Sequence, residues 1–149
     1  MRLEEEIKTK EFRNENHKVI VNLIYTFNWL DTKAKNFFKK YDLTPQQFNI
    51  LRILRGQHPK PCTINLLKDR MLDKMCDASR IVERLRLKEL LERKQSEDDR
   101  RSVDIMISQK GLDLLEEIDK NIDNFNNIVS TLSKEEMVKL NQLLDKARG

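Results

Sequence analysis

The sequence predicts a mainly α-helical protein that carries one small β-hairpin and a long helix towards each end. Only three glycines and three prolines interrupt the 149 residues, and the stretches between them are rich in good helix formers such as Leu, Lys and Glu. Two of these stretches repeat apolar residues at alternating spacings of three and four, as amphipathic helices do. Near residue 100 the pattern changes to strict alternation beside a charged turn, which is typical of a hairpin.

Size and charge narrow the possible functions. A chain of 149 residues has the usual size of one domain. Residues 52–101 contain 14 Lys and Arg against nine Asp and Glu, whereas residues 102–149 are net acidic. A basic centre is expected in a protein that binds nucleic acid, although an ordinary solvated surface has a similar composition.

Several classes of protein are excluded by what the sequence lacks. No stretch approaches the roughly 18 uninterrupted apolar residues of a membrane span, so we expect a cytoplasmic protein with no membrane partner. Cys62 and Cys76 are too few for a zinc cluster, and His17 and His58 have no metal-ligand spacing around them. No nucleophile and base pair or phosphate loop is visible. We therefore predict no enzymatic activity, no cofactor and no metal.

The first long helix is predicted from about residue 7 to Tyr41, where neither Gly nor Pro occurs. Its apolar seam comprises Ile20, Leu23, Phe27, Leu30, Ala34, Phe37 and Tyr41. A second seam, near the other end, comprises Leu115, Ile118, Ile122, Phe125, Val129 and Leu132. Each seam can pack inside its own subunit or against a second copy. Because the rest of the chain is small, we expect the terminal helices to form a homodimer.

The middle of the chain predicts three shorter helices. Thr44 and Gln47 form a capping box around Pro45, so a helix is expected to begin at Pro45, and Gly56 followed by Pro59 and Pro61 is expected to end it in a short loop. Thr63 caps the next helix, which runs from Ile64 to about residue 72. A third helix follows closely, from Cys76 or Asp77 to about Glu89, and the last two form a helix-turn-helix. Near the end of the chain, a capping box at Ser133 starts the final helix.

The helix after the turn has an apolar face and a basic face. The apolar stripe comprises Ala78, Ile81, Val82 and Leu85. Arg80, Arg84 and Lys88 lie on the other side, at spacings of four residues. Such a helix fits the major groove of DNA, where arginine reads guanine with two hydrogen bonds. Alternatively, Arg80 and Arg84 pair with Glu83 or Asp77 as part of a solvated helix face.

The hairpin follows directly. Leu91–Gln95 is expected to pair with the alternating strand that begins at Val103. The turn between them places Arg100 and Arg101 at its tip, where arginine can enter a minor groove. We expect Asp99 to hold one guanidinium through a local salt bridge. Alternatively, the turn is only a charged loop that mixed charges keep soluble.

In this order and at these spacings, the motifs resemble the MarR family of bacterial winged-helix regulators, from about residue 10 to residue 148. The segments that carry the resemblance are Leu43–Phe48, Ser79–Leu85, Leu90–Arg93, Asp99–Arg101 and Ser108–Gly111. The resemblance implies a winged helix-turn-helix over about residues 43–108, with long dimerisation helices over about 1–42 and 109–149. It also implies a homodimeric repressor of transcription that binds a pseudo-palindromic site in double-stranded DNA and responds to a small-molecule effector. The DNA-binding residues it implies are Asp77, Ser79, Arg80, Arg84 and Lys88 in the recognition helix and Asp99, Arg100 and Arg101 in the wing. A helical adaptor that binds protein through the two seams is the alternative.

Three positions depart from the usual pattern of that family. Glu89 replaces the glycine that ends the recognition helix, so we expect the helix to end with another turn geometry. Cys76 stands where an N-cap such as Ser is typical, and Ser108 replaces Thr but retains the ability to cap a helix. A lowered thiol pKa at a helix N-terminus would make Cys76 an oxidant sensor. The redox-sensing members place their cysteine in the first long helix, so we interpret Cys76 as a small residue at a helix start.

Overall fold

The fold class predicted from the sequence is confirmed by the computed structural model, which describes residues 1–149. Eight α-helices surround a two-stranded antiparallel hairpin. The elements in chain order are α1 (Leu3–Glu6), α2 (Glu15–Lys39), α3 (Pro45–Gln57), α4 (Ile64–Arg70), α5 (Ala78–Leu87), β1 (Leu91–Gln95), β2 (Val103–Ile107), α6 (Gln109–Asp119), α7 (Ile122–Asn126), a 3₁₀ turn (Asn127–Val129) and α8 (Lys134–Arg148). None of the helices combines the length and the apolar character needed to cross a membrane.

The first long helix begins later than the sequence pattern predicted. The start at about residue 7 was wrong, because the side chain of Asn14 accepts a hydrogen bond of 2.9 Å from the backbone N–H of His17 and caps α2 at Glu15. The short helix α1 is separate and folds back along α2. An ion pair of 2.6 Å between Lys18 and Glu4 holds it there.

The second seam does not lie on one long helix. Its residues are divided among α6, α7 and the 3₁₀ turn, and Leu132 lies in the loop before α8. Leu115 and Ile118 are fully buried, and Ile122 and Phe125 pack against the same core. For these four positions, packing inside the subunit is therefore the correct interpretation. The final helix α8 begins as predicted, with the Ser133 capping box formed in both directions.

The core lies between α3, α5, the hairpin and α6. It is one cluster of 19 buried residues that also receives Ala34 and Phe38 from the C-terminal end of α2. The capping box predicted at Thr44 is present and starts α3 at Pro45. α3 runs one residue past Gly56 and ends at Gln57, with His58 as its C-cap just before Pro59. The core thus joins α3 and α5 to the end of α2.

The two strands of the hairpin pair as predicted. Leu91 lies opposite Ile107, and Gln95 lies opposite Val103. The apolar side chains of Leu91, Ile105 and Ile107 are buried, so one face of the hairpin is anchored in the core. The sequence pattern did not predict a further bridge, in which the backbones of Cys62 and Ile105 exchange two hydrogen bonds of 2.8 Å.

Candidate nucleic-acid interface

The helix-turn-helix is held in place by hydrogen bonds from side chains to the backbone. The carboxylate of Asp77 accepts from the backbone N–H of Arg80 at 3.1 Å and is the N-cap of α5. The expectation that Cys76 occupies the N-cap was therefore wrong. In the turn before α5, the backbone N–H of Leu72 donates to the buried side chain of Asn49 at 2.9 Å, which fixes the turn against α3.

The orientation of α5 follows from its buried side. Ala78, Val82 and Leu85 are fully buried, so the opposite side of the helix must face outward. Arg80 and Arg84 lie on that outward side, are exposed, and have no acidic partner. The alternative in which they pair with Glu83 or Asp77 is therefore not what the structure contains.

Glu83 binds other arginines. Its carboxylate accepts from Arg86 at 2.7 Å (Nη2) and 3.0 Å (Nε), and from Arg93 of β1 at 3.1 Å. The hydrogen bond from Arg86 is the main reason that the pKa of the Glu83 carboxyl lies below its ordinary value, and Arg93 lowers it further. The two paired guanidiniums are thus neutralised locally, whereas Arg80 and Arg84 are free to bind an external partner.

Lys88 lies at the far end of the recognition helix. Its ammonium is 3.0 Å from the carboxylate of Asp42 and also donates to the backbone carbonyl of Asp42. Asp42 follows α2, so this pair ties the end of α2 to the end of α5. The positive charge of Lys88 is therefore paired with Asp42 of the same subunit.

The end of α5 uses a left-handed residue. Glu89 has φ of 61°, and the backbone N–H of Leu90 donates to the carbonyl of Leu85 at 3.0 Å while that of Glu89 donates to Arg86 at 2.9 Å. These are the two hydrogen bonds of a Schellman motif. The expectation of another turn geometry was wrong, because a glutamate here adopts the conformation for which glycine is preferred, at a cost of about 1 kcal/mol.

The hairpin base is tied to α6 by Ser108. Its hydroxyl donates to the carbonyl of Glu89 at 2.7 Å and accepts from the backbone N–H of Gly111 at 3.0 Å, which confirms the capping role expected of Ser108. Gly111 allows a close approach at this point, because a Cβ added there would lie 2.3 Å from the carbonyl oxygen of Leu90. The recognition helix, the hairpin and α6 therefore meet at one tightly packed junction.

The wing tip is shaped by Asp99. Its carboxylate accepts from the backbone N–H of Arg101 at 2.9 Å, so the expectation that Asp99 binds a guanidinium was wrong. The carbonyl of Asp99 also accepts from the backbone N–H of Ser102 at 2.9 Å, and the side chain of Gln95 donates to the carbonyl of Arg100 at 2.7 Å. The guanidiniums of Arg100 and Arg101 remain exposed and form no ion pair.

Comparison with known proteins decides the family. The model of the MarR family matches residues 41–102. The chain is 33% identical over 116 residues to the transcriptional regulator MgrA of Staphylococcus aureus, covering 76% of this chain and 75% of the relative. It is 31% identical over 119 residues to the regulator PecS of Dickeya dadantii, covering 77% and 70%. The chain belongs to the MarR family.

Solved structures of MarR proteins share its fold. A putative MarR-like regulator from Bacillus cereus superposes with a TM-score of 0.80 at 18% identity, over 90% of this chain and 96% of that one. A mutant MarR from E. coli complexed with operator DNA superposes at 0.79 with 21% identity, over 93% and 99%. The organohalide-sensing regulator RdhR in its 2,4-dichlorophenol-bound form superposes at 0.81 with 23% identity, over 96% and 83%. This MarR-family protein is therefore a DNA-binding transcriptional regulator with a winged helix-turn-helix fold, and it is not an enzyme.

Cys76 has the environment of an unreactive thiol in this MarR protein. Its Sγ donates to the backbone carbonyl of Asp73 at 3.0 Å. Burial raises the pKa of the Cys76 thiol, and the nearby carboxylate of Asp73 raises it further. Since the thiolate is the form that oxidants attack, this environment supports the interpretation of Cys76 as a structural residue.

The sequence reasoning missed two parts of the MarR interface, namely the ion pairs of Glu83 with Arg86 and Arg93 and the hydrogen bond from Leu72 to Asn49. The spacing of Glu83 and Arg86 on one helix was a detectable signal for an ion pair. The participation of Arg93 was not, because it depends on how the hairpin packs against the helix. Asn49 also had a signal, since it is a polar residue between the apolar positions of α3.

Proposed function

We propose that this MarR regulator is a cytoplasmic, homodimeric repressor of transcription. It binds a pseudo-palindromic operator in double-stranded DNA. In each subunit, α5 enters a major groove and the wing enters the adjacent minor groove. The observation that carries the proposal is the sorting of charge on α5. Arg80 and Arg84 are exposed without an acidic partner, whereas Arg86 and Lys88 are paired inside the subunit. Unpaired arginines on the outward face of such a helix are suited to reading guanine.

The other residues of the recognition helix have supporting roles in this proposal. Asp77 caps α5 and sets its N-terminal end, and the exposed hydroxyl of Ser79 is placed to donate to a phosphate. Lys88 acts through Asp42, by holding the angle between α5 and the end of α2. Base recognition is assigned to Arg80 and Arg84.

The wing supplies affinity that depends little on sequence. Arg100 and Arg101 project from a turn whose backbone is held by Asp99. A narrow, A·T-rich minor groove has a strongly negative potential, which favours arginine. Each phosphate neutralised by such a side chain also releases condensed counterions, so binding weakens as salt rises.

Dimerisation is proposed for the terminal segments, over about residues 1–42 and 109–149, with DNA binding over about 43–108. The solvent-exposed part of the α2 seam comprises Ile20, Leu23, Phe27 and Leu30, and Phe27 is 66% exposed. This stripe continues the line of Ala34 and Phe38, which are buried in the core. On α8, Val138, Leu140 and Leu143 are exposed as well. Apolar faces of this extent on two terminal helices favour burial against a second copy.

Relief by an effector is proposed for a cavity of about 560 Å³ between α2, α3 and α7. Its walls include Phe27, Phe38, Phe48 and Phe125, with the side chain of Arg52 at the same cavity. Aromatic walls with a few polar groups are suited to a small aromatic molecule, and the relative RdhR was solved with such a molecule, 2,4-dichlorophenol. Because the cavity joins α2 to the DNA-binding part, a ligand there would change the angle between them.

The proposal is tested by selecting bound fragments from the source genome. The selected duplexes should share an inverted repeat, and titration of one of them should saturate at two chains per repeat. Transcription from the adjacent promoter should fall when the protein is added. Fragments without a repeat, or an affinity equal to that for unrelated DNA, would contradict the proposal. Family membership favours the regulator over the adaptor alternative, and salt-dependent DNA binding would separate the two in solution.

A further inference from the structure

Glu83 is the one acidic side chain that links the recognition helix to the wing. It follows Arg80 by three residues on α5, and its side chain is 41% exposed. It accepts from Arg86 of the same helix and from Arg93 of β1. The bond to Arg93 is the only side-chain hydrogen bond between α5 and the hairpin.

Arg93 is a rigid attachment point on the hairpin. It lies opposite Ile105 in the register of the sheet, and the backbone of Ile105 is held from the other side by two hydrogen bonds to Cys62. A contact that fixes the position of Arg93 therefore fixes the orientation of the whole hairpin, including the tip that carries Arg101. The turn at Glu89 and Leu90 and the shared core hold the base of the hairpin against α5. The bond from Arg93 adds a polar link farther along β1.

A carboxylate on a DNA-facing surface needs an explanation. By charge alone, Glu83 repels phosphates and lowers affinity. As a base reader it would accept from a cytosine amino group, but two arginines already occupy its oxygens. Ion pairs that lose solvent when DNA covers them become stronger and more directional.

We propose that Glu83 is a positioning residue that sets the angle between the recognition helix and the wing through Arg93, so that both DNA grooves are engaged together. The inference rests on the proposed contacts of α5 and the wing tip with DNA. It assigns part of the sequence specificity to a residue that touches no base. The wing arginine and the helix arginines are then energetically coupled.

The test compares Glu83→Gln with Glu92→Gln. Glu92 is the exposed neighbour of Arg93 on β1 and forms no ion pair, so its variant removes the same charge without removing a link. Affinities for the selected operator and for an unrelated duplex are measured for each variant, alone and combined with Arg101→Ala. Glu92→Gln should strengthen binding to both duplexes and leave their ratio unchanged. Glu83→Gln should lower the ratio about fivefold, a coupling in the range measured for residues of one network.

The combination with the wing variant separates the outcomes. If Glu83 positions the wing, Arg101→Ala should cost less affinity in the Glu83→Gln protein than in the parent, and Arg93→Gln should reproduce the effect of Glu83→Gln without adding to it. A normal Arg101 penalty with additive effects would overturn the inference alone. A loss confined to one C·G pair would make Glu83 a base reader and would also overturn it. An Arg101→Ala protein that binds like the parent would refute the wing contact itself, and this inference with it.

Discussion

Replacing Gly111 with alanine should destabilise the protein, although alanine is the better helix former. Gly111 lies in the first turn of α6, where the helix packs against the end of the Schellman turn. A Cβ built at this position would lie 2.3 Å from the carbonyl oxygen of Leu90 and 2.7 Å from Cγ1 of Ile107. Neither atom is the far end of a flexible side chain, so the contact can be relieved only by moving α6 or the hairpin base.

The magnitude follows from two opposing terms. Helix propensity favours alanine over glycine by at most about 1 kcal/mol. Overpacking of a close contact costs about 1 to 3 kcal/mol, and a backbone contact this short lies at the upper end of that range. The net loss should be about 2 kcal/mol, which corresponds to a decrease in Tm of about 6 °C for a chain of this length.

Gly56→Ala is the matched control. Gly56 is also helical, but unlike the buried Gly111 it is exposed, and nothing lies within 4 Å of a Cβ added there. The same substitution should therefore raise the free energy of unfolding by about 0.5 to 1 kcal/mol. Thermal and urea unfolding of both variants and the parent, at one protein concentration, measures the difference. A Gly111→Ala protein as stable as Gly56→Ala would refute the close packing of α6 against the hairpin base.

Three further predictions concern α5, the thiol and the dimer. Glu89→Gly should raise the free energy of unfolding by about 1 kcal/mol in urea titrations, because glycine adopts the left-handed conformation without strain; a loss of stability would contradict this. Cys76→Ser should bind the operator like the parent, with and without peroxide; a peroxide-induced release that only the parent shows would contradict the structural role. Phe27→Asp should sediment as a monomer at micromolar concentration, whereas Asn28→Asp, at an exposed position outside that seam, should remain a dimer; two dimers would exclude the α2 seam from the interface.

Signals from local capping predicted the shorter elements well. The capping boxes at Thr44 and Ser133 and the cap at Thr63 lie where the sequence placed them, because a cap is a hydrogen bond between residues two or three apart. The alternation from Val103 to Ile107 likewise predicted which face of the strand is buried. Local patterns of this kind need no knowledge of the rest of the fold.

Features that depend on competition or on packing were predicted less well. The absence of Gly and Pro could not show that Asn14 would start α2, because an asparagine is compatible with both a cap and a helix interior. The seam from Leu115 onward gave no sign of the break between α6 and α7. Which arginines near the DNA-facing surface are paired also required the structure, since Arg80 lies at the same spacing of three residues from Glu83 as Arg86 does.

The claim that α5 reads the operator bases is tested most directly by a base-substitution profile. Affinity is measured for the selected operator and for every single base-pair change in it, with the parent protein, with Arg84→Ala and with Arg13→Ala. Arg13→Ala is the control, because it removes an exposed arginine that is distant in sequence from α5. Arg84→Ala should lose about 1 to 3 kcal/mol of discrimination at one base pair in each half-site, with the other positions unchanged. Arg13→Ala should keep the parent profile. An Arg84→Ala protein with the parent profile at every position would show that this arginine does not read the bases.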